Sequence, residues 1–108
     1  MKRRAILLAL LMVAGLAYAE MQFQSVSVTA SSQTITISGA SFSIKNEDST
    51  NEIYVRVFEN GDTTGAATTS NAVIQHGETL SGYRSNGLKA ISLICAGGET
   101  ATASVIYW

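Results

Sequence analysis

Apolar and polar residues alternate with a period of two along most of the chain after residue 20, the signature of strands with one buried face. Val26, Val28 and Ala30 alternate with Ser27 and Thr29. After the polar break Ser31-Ser32-Gln33, Ile35 and Ile37 alternate with Thr34 and Thr36. Phe42 and Ile44 mark a short strand beyond Gly39, which reads as a turn or bulge. Ile53 to Glu59 is the strongest run, with Ile53, Val55 and Val57 on one face and Tyr54, Arg56 and Phe58 on the other. β-Branched and aromatic residues in this density fit a central, packed strand. Val73 to Gln75 and Leu80 to Arg84 are shorter, and two longer runs fill Leu88 to Trp108.

The breaks carry turn chemistry. Asn46 to Glu52 is a polar loop, Asn60-Gly61-Asp62 and His76-Gly77-Glu78 are turns, and Asn86-Gly87 is a tight-turn dipeptide. Thr63 to Asn71 is rich in Thr, Ala and Gly and reads as a loop with at most one short edge strand. The last two runs flank Ala96-Gly97-Gly98-Glu99, which predicts a β-hairpin over 88–108 at the centre of the fold. About eight strands at turn spacings of roughly 8–12 residues predict an all-β antiparallel sandwich of seven to nine short strands, Ig-like or jelly-roll-like. The expected core is Ile35, Ile37, Ile53, Val55, Val57, Ile91, Leu93, Cys95 and Val105.

The first twenty residues are different. Met-Lys-Arg-Arg is followed by an uncharged run from Ala5 to Ala19 that ends Ala17-Tyr18-Ala19. A basic start, an apolar middle and small residues before the cut predict a signal-peptide helix over 1–19, cleaved to leave one domain over 20–108. The run is shorter than the roughly 20 residues that span a bilayer, so membrane contact is expected only during export. Removing Lys2, Arg3 and Arg4 leaves four basic and eight acidic residues, a net charge of 4 − 8 = −4. An acidic domain lacks the electrostatic attraction that carries phosphate-backbone binding, which argues against nucleic acid. The expected location is therefore secreted or periplasmic. If Met21 is instead the true start, the protein remains where it is made.

Candidate chemistry is sparse. His76 is the single histidine and Cys95 the single cysteine, so no Cys/His metal spacing exists and no internal disulfide can form. Cys95 alternates with Ile91 and Leu93 and reads as a buried, inert thiol. No Gly-x-Ser-x-Gly element surrounds a serine, and Glu47, Asp48 and Glu52 lack the order of a calcium loop. No catalytic residue, metal or cofactor is expected. Aromatic side chains remain: Tyr54, Tyr83, Tyr107 and Trp108 are the candidates for a protein contact or a sugar-stacking surface, or else close the core. The chain has no proline, a usual blunting device for sheet edges, so some edges are expected to be covered by another subunit.

Three elements together carry a resemblance: the strand Glu52-Ile-Tyr-Val-Arg-Val-Phe58, the turn Ile74-Gln-His-Gly-Glu78, and the run from Gly87 to Trp108 with its Ile-Cys-Ala-Gly-Gly-Glu-Thr-Ala segment. Over residues 35–108 the chain resembles small accessory β-sandwich proteins of tailed-bacteriophage virions and prophages. The resemblance implies a non-enzymatic structural or attachment role, in head decoration or at the tail, within a homo-oligomer or larger protein assembly; the place is the virion if Met21 is the start. A second likeness is to pilus subunits of the chaperone–usher kind, whose last strand alternates and carries a penultimate aromatic, here Tyr107. It implies a secreted or periplasmic binding or assembly module, for which carbohydrate is also a possible ligand.

Overall fold

The computed structural model describes residues 21–108. The signal peptide expected over 1–19 lies outside the described residues. Eight strands form: β1 (Gln22–Val28), β2 (Gln33–Thr36), β3 (Ser41–Asn46), β4 (Ile53–Glu59), β5 (Ala72–Ile74), β6 (Thr79–Tyr83), β7 (Leu88–Ile94) and β8 (Ala101–Tyr107). They build two four-stranded sheets, ordered β1-β8-β3-β6 and β2-β7-β4-β5, and every pairing is antiparallel. The described residues thus form an all-β, two-sheet sandwich without a helix.

The expected hairpin over 88–108 does not form. β7 pairs with β2 and β4 in one sheet, and β8 pairs with β1 and β3 in the other. The Ala96 to Thr100 segment therefore crosses between sheets. Gly98 takes φ 79° there, and the amide of Glu99 donates to the carbonyl of Ala96, so the tight turn is real. What differs is the partner choice: both runs carry an apolar inward face, and each is stabler between two neighbours in its own sheet than against the other. Both strands are nonetheless central. The Asn86-Gly87 turn behaves likewise, with Gly87 at φ 83°, linking β6 to β7 across the sandwich. Only β4 and β5 are neighbours in both sequence and space.

Alternation decides what is buried. The core between the sheets holds Val26, Val28, Ile37, Phe42, Ile44, Ile53, Val55, Ile74, Leu88, Ile91, Leu93, Cys95, Ala101, Ala103, Val105 and Tyr107. Of the expected core, Ile35 and Val57 are only half-buried at its margin, because β2 is an edge strand and β4 has a register irregularity at Phe58/Glu59. One polar side chain is fully enclosed at the sandwich end. The amide of Asn46 donates to the carbonyls of Asn51 (2.8 Å) and Ile74 (3.0 Å), and its oxygen accepts from the amide of Asp48 (2.9 Å).

The long connection between β4 and β5 folds back over the outer face of the second sheet. Ser92, buried on that face, donates to the carbonyl of Gly65 (2.6 Å) and bonds the hydroxyl of Thr34 (2.7 Å). The amide of Ala67 donates to Ser32, and Arg56 lies over the Phe58 ring, which is buried beneath it. The outer face of β2-β7-β4-β5 is thus partly roofed by the chain itself. Among the described residues no such connection crosses the outer face of β1-β8-β3-β6.

Candidate functional site

Register places the outward residues of the first sheet in rows. Phe23 faces Ile106, which faces Ser43, which faces Ser81. One row nearer the sheet end, Trp108 exchanges backbone bonds with Ser41 (3.0 and 3.1 Å), and Ser41 faces Tyr83. Continuing the β1–β8 register by one pair sets Met21 beside Trp108. Two rows of one face therefore carry Met21, Phe23, Tyr83, Ile106 and Trp108 around Ser41 and Ser43. Phe23 is 64% exposed, Tyr83 65%, Trp108 47% and Met21 45%, which makes this the main gathering of large apolar side chains in water among the described residues.

The rest of the face is polar. The next row holds Ser25, Ser104, Lys45 and Thr79, and beyond it lie Ser27 and Thr102. The exposed large apolar side chains are thus gathered at one end of a hydroxyl-rich face rather than scattered over it. Its backbone is firmly held. Gly39, at φ 80°, lies so close to the backbone of Trp108 that a Cβ there would clash with its carbonyl carbon and oxygen. Ala40 and Ser41 both donate to the Trp108 carbonyl.

The four aromatic candidates separate. Trp108 and Tyr83 belong to this exposed end. Tyr107 points inward, 7% exposed, with its hydroxyl accepting from the Gln24 amide (3.0 Å), so it belongs to the core and not to the surface. Tyr54 lies on the other sheet, facing Val73 and Ile94. Its hydroxyl donates to Glu52 (3.3 Å), and burial, with that carboxylate beside it, pushes the phenol above its ordinary value. Phe23, Met21 and Ile106 join the site without having been expected. The signal was present: Phe23 has the opposite parity to Val26 and Val28, so a strand that buries the valines must expose it.

The remaining candidates lie apart from this end. Asp48 accepts from the amides of Asn51 (2.6 Å) and Thr50 (3.0 Å) and from the Thr50 hydroxyl, bonds that hold its carboxyl below the usual range. All three bonds go to one oxygen, Oδ2, which is thereby committed to its own loop. Among the described residues no three His, Cys, Asp or Glu side chains gather as a metal site would require. Cys95 is buried, with Sγ 3.8 Å from the Val28 carbonyl; burial, then Glu99 and Asp48, raises its pKa. His76 is exposed in its turn. No described helix is long and apolar enough to cross a membrane. No protein-family model matches the chain, and no curated protein matches it.

Proposed function

We propose that this protein is a non-enzymatic structural module that docks into a larger protein assembly through the apolar end of its β1-β8-β3-β6 face, as an accessory protein of a tailed-phage type virion would. The observation that carries the reading is the exposure of Phe23, Tyr83, Trp108 and Met21 together on one end of an otherwise polar face. Large side chains gain about 1.5–3 kcal/mol each on burial, and here a partner surface must supply it. Absence of a concave pocket among the described residues favours a broad protein contact over a small ligand. We read the strand order β1-β8-β3-β6 over β2-β7-β4-β5 as a jelly roll, an eight-stranded double-sheet winding that also occurs in viral capsid and lectin domains.

A second reading rests on the leader. Met-Lys-Arg-Arg and the uncharged run to Ala19 favour a secreted or periplasmic assembly module, pilus-like or carbohydrate-binding. Mass spectrometry of purified particles and of the exported fraction from the producing cell separates the two. Recovery in particles, lost in Trp108→Ala and Phe23→Ser variants that keep their β spectrum, is the expected result. Recovery only in the exported fraction, beginning at Glu20, overturns the virion reading in favour of the second.

A further inference from the structure

We infer that the outer edge of β6 is a pairing site for a second copy of this chain, with the two copies related by a twofold axis. β6, β2 and β5 each end a sheet and have both flanks among the described residues; β6 has five residues, β2 four and β5 three. The direction of the β6 backbone groups follows from its neighbour. Ser41 exchanges both of its backbone bonds with Trp108, so its amide and carbonyl turn toward β8 and away from Tyr83, its partner in β6. Pairs alternate along an antiparallel ladder, so Ser43 with Ser81 and Lys45 with Thr79 are of the same kind. The amides and carbonyls of Thr79, Ser81 and Tyr83 therefore point out of the sheet. Among the described residues one hydrogen bond reaches that edge, from Arg84 Nη1 to the Tyr83 carbonyl (3.1 Å).

Charge complementarity selects a second copy as the occupant. A twofold interface sets one residue against another and that other against the first. Centred on Ser81, it pairs the whole strand: Ser81 meets Ser81 of the second copy, Thr79 meets its Tyr83, and Leu80 meets its Gly82, which carries no side chain to obstruct it. One step further, Glu78 meets Arg84 of the second copy, and Arg84 meets its Glu78. Charged flanks blunt an edge against unrelated strands. These two have opposite sign and stand three residues either side of Ser81, so they match in a copy of the same strand. The carbonyl of Glu78 accepts from Asn46, and the amide of Arg84 donates to Ala40, so both turn their backbone bonds toward β3. Across the new seam they form non-hydrogen-bonded pairs, whose side chains lie closest. Among the described residues the Glu78 carboxylate makes no hydrogen bond or ion pair. Arg84 reaches Glu59 through Nε (3.5 Å) and the Tyr83 carbonyl through Nη1, which leaves further guanidinium N–H groups for a second carboxylate. The second lone pair of the Tyr83 carbonyl remains for the Thr79 amide of the second copy. The inference does not depend on the apolar end being docked in a particle.

The test uses protein made from the complete coding sequence, with its N-terminus established by mass spectrometry, in sedimentation across a concentration series. The wild type is expected to reach a dimer. Glu78→Arg sets two arginines against each other at both ends of the seam, and Arg84→Glu sets two glutamates; each variant alone is expected to remain monomeric. An equimolar mixture of the two is expected to dimerise again, since every arginine then faces a glutamate. Trp108→Ala is expected to dimerise like the wild type. Far-UV spectra check the fold of each variant. If Arg84→Glu unfolds through loss of its own contacts, Ser81→Lys and Ser81→Glu, at an exposed position on the twofold axis, make the same comparison alone and mixed. A wild type that stays monomeric near millimolar concentration overturns the inference. So does a dimer that survives Glu78→Arg, a mixture that fails to restore it, or a dimer that is lost in Trp108→Ala.

Discussion

Asn46 is the polar side chain with most at stake. It is fully buried, and its amide and oxygen tie together the loop after β3 and the end of β5. Asn46→Ala removes three bonds, the one to the Ile74 carbonyl buried, at a cost of about 1–3 kcal/mol. A denaturant melt with an unchanged m-value and a lowered midpoint is the expected result. Asp48, next but one, responds to pH. Its folded pKa is lowered, so its stabilisation is fully present above the ordinary aspartate range and fades as pH falls through the depressed value. The melting temperatures of wild type and Asp48→Asn are therefore expected to differ at neutral pH and to converge in acid. Glycine 39 has no tolerated substitute: Gly39→Ala combines a positive φ with a clash against the Trp108 backbone, and is expected to lower stability and speed amide exchange at Trp108. Cys95 is expected to resist thiol reagents until the protein is unfolded, since its thiol is both buried and pushed up in pKa.

At the scale of elements, the strands were legible because period two survives in short segments. Ile53 to Glu59 and Ala101 to Tyr107 have inward and outward sets that no helix would accommodate. Pairing was not legible. A turn such as Ala96-Gly97-Gly98-Glu99 has the same chemistry whether it returns within a sheet or crosses to the other, and only competition among all eight strands decides. The candidate surface was half legible for the same reason. Trp108 and Tyr83 were identified by residue type, whereas Phe23 and Met21 become part of the site through a pairing between β1 and β8 that are far apart in sequence. Asn46 closes β3 and is buried, although a polar residue followed by charged ones predicts only a loop. The β4–β5 connection offers an element-scale test. Ser92→Ala removes the bonds to Gly65 and Thr34, and is expected to cost about 1 kcal/mol while accelerating exchange at the Ala67 amide.

Long-range pairing holds the described residues together: β1 lies against β8, and six of the seven connections between their strands cross between sheets. That arrangement has a consequence in time. β1 ends at Val28 and its ladder partner β8 runs to Tyr107. At roughly 5–20 residues per second of synthesis, β1 waits on the order of 4–16 s before that partner exists. Throughout the interval the nascent chain has no closed first sheet and no finished core, since Ala101, Ala103, Val105 and Tyr107 are still missing from it. A ribosome-bound chain is therefore open and threadable until synthesis of the described strands is all but complete. That delay arises here from strand order alone.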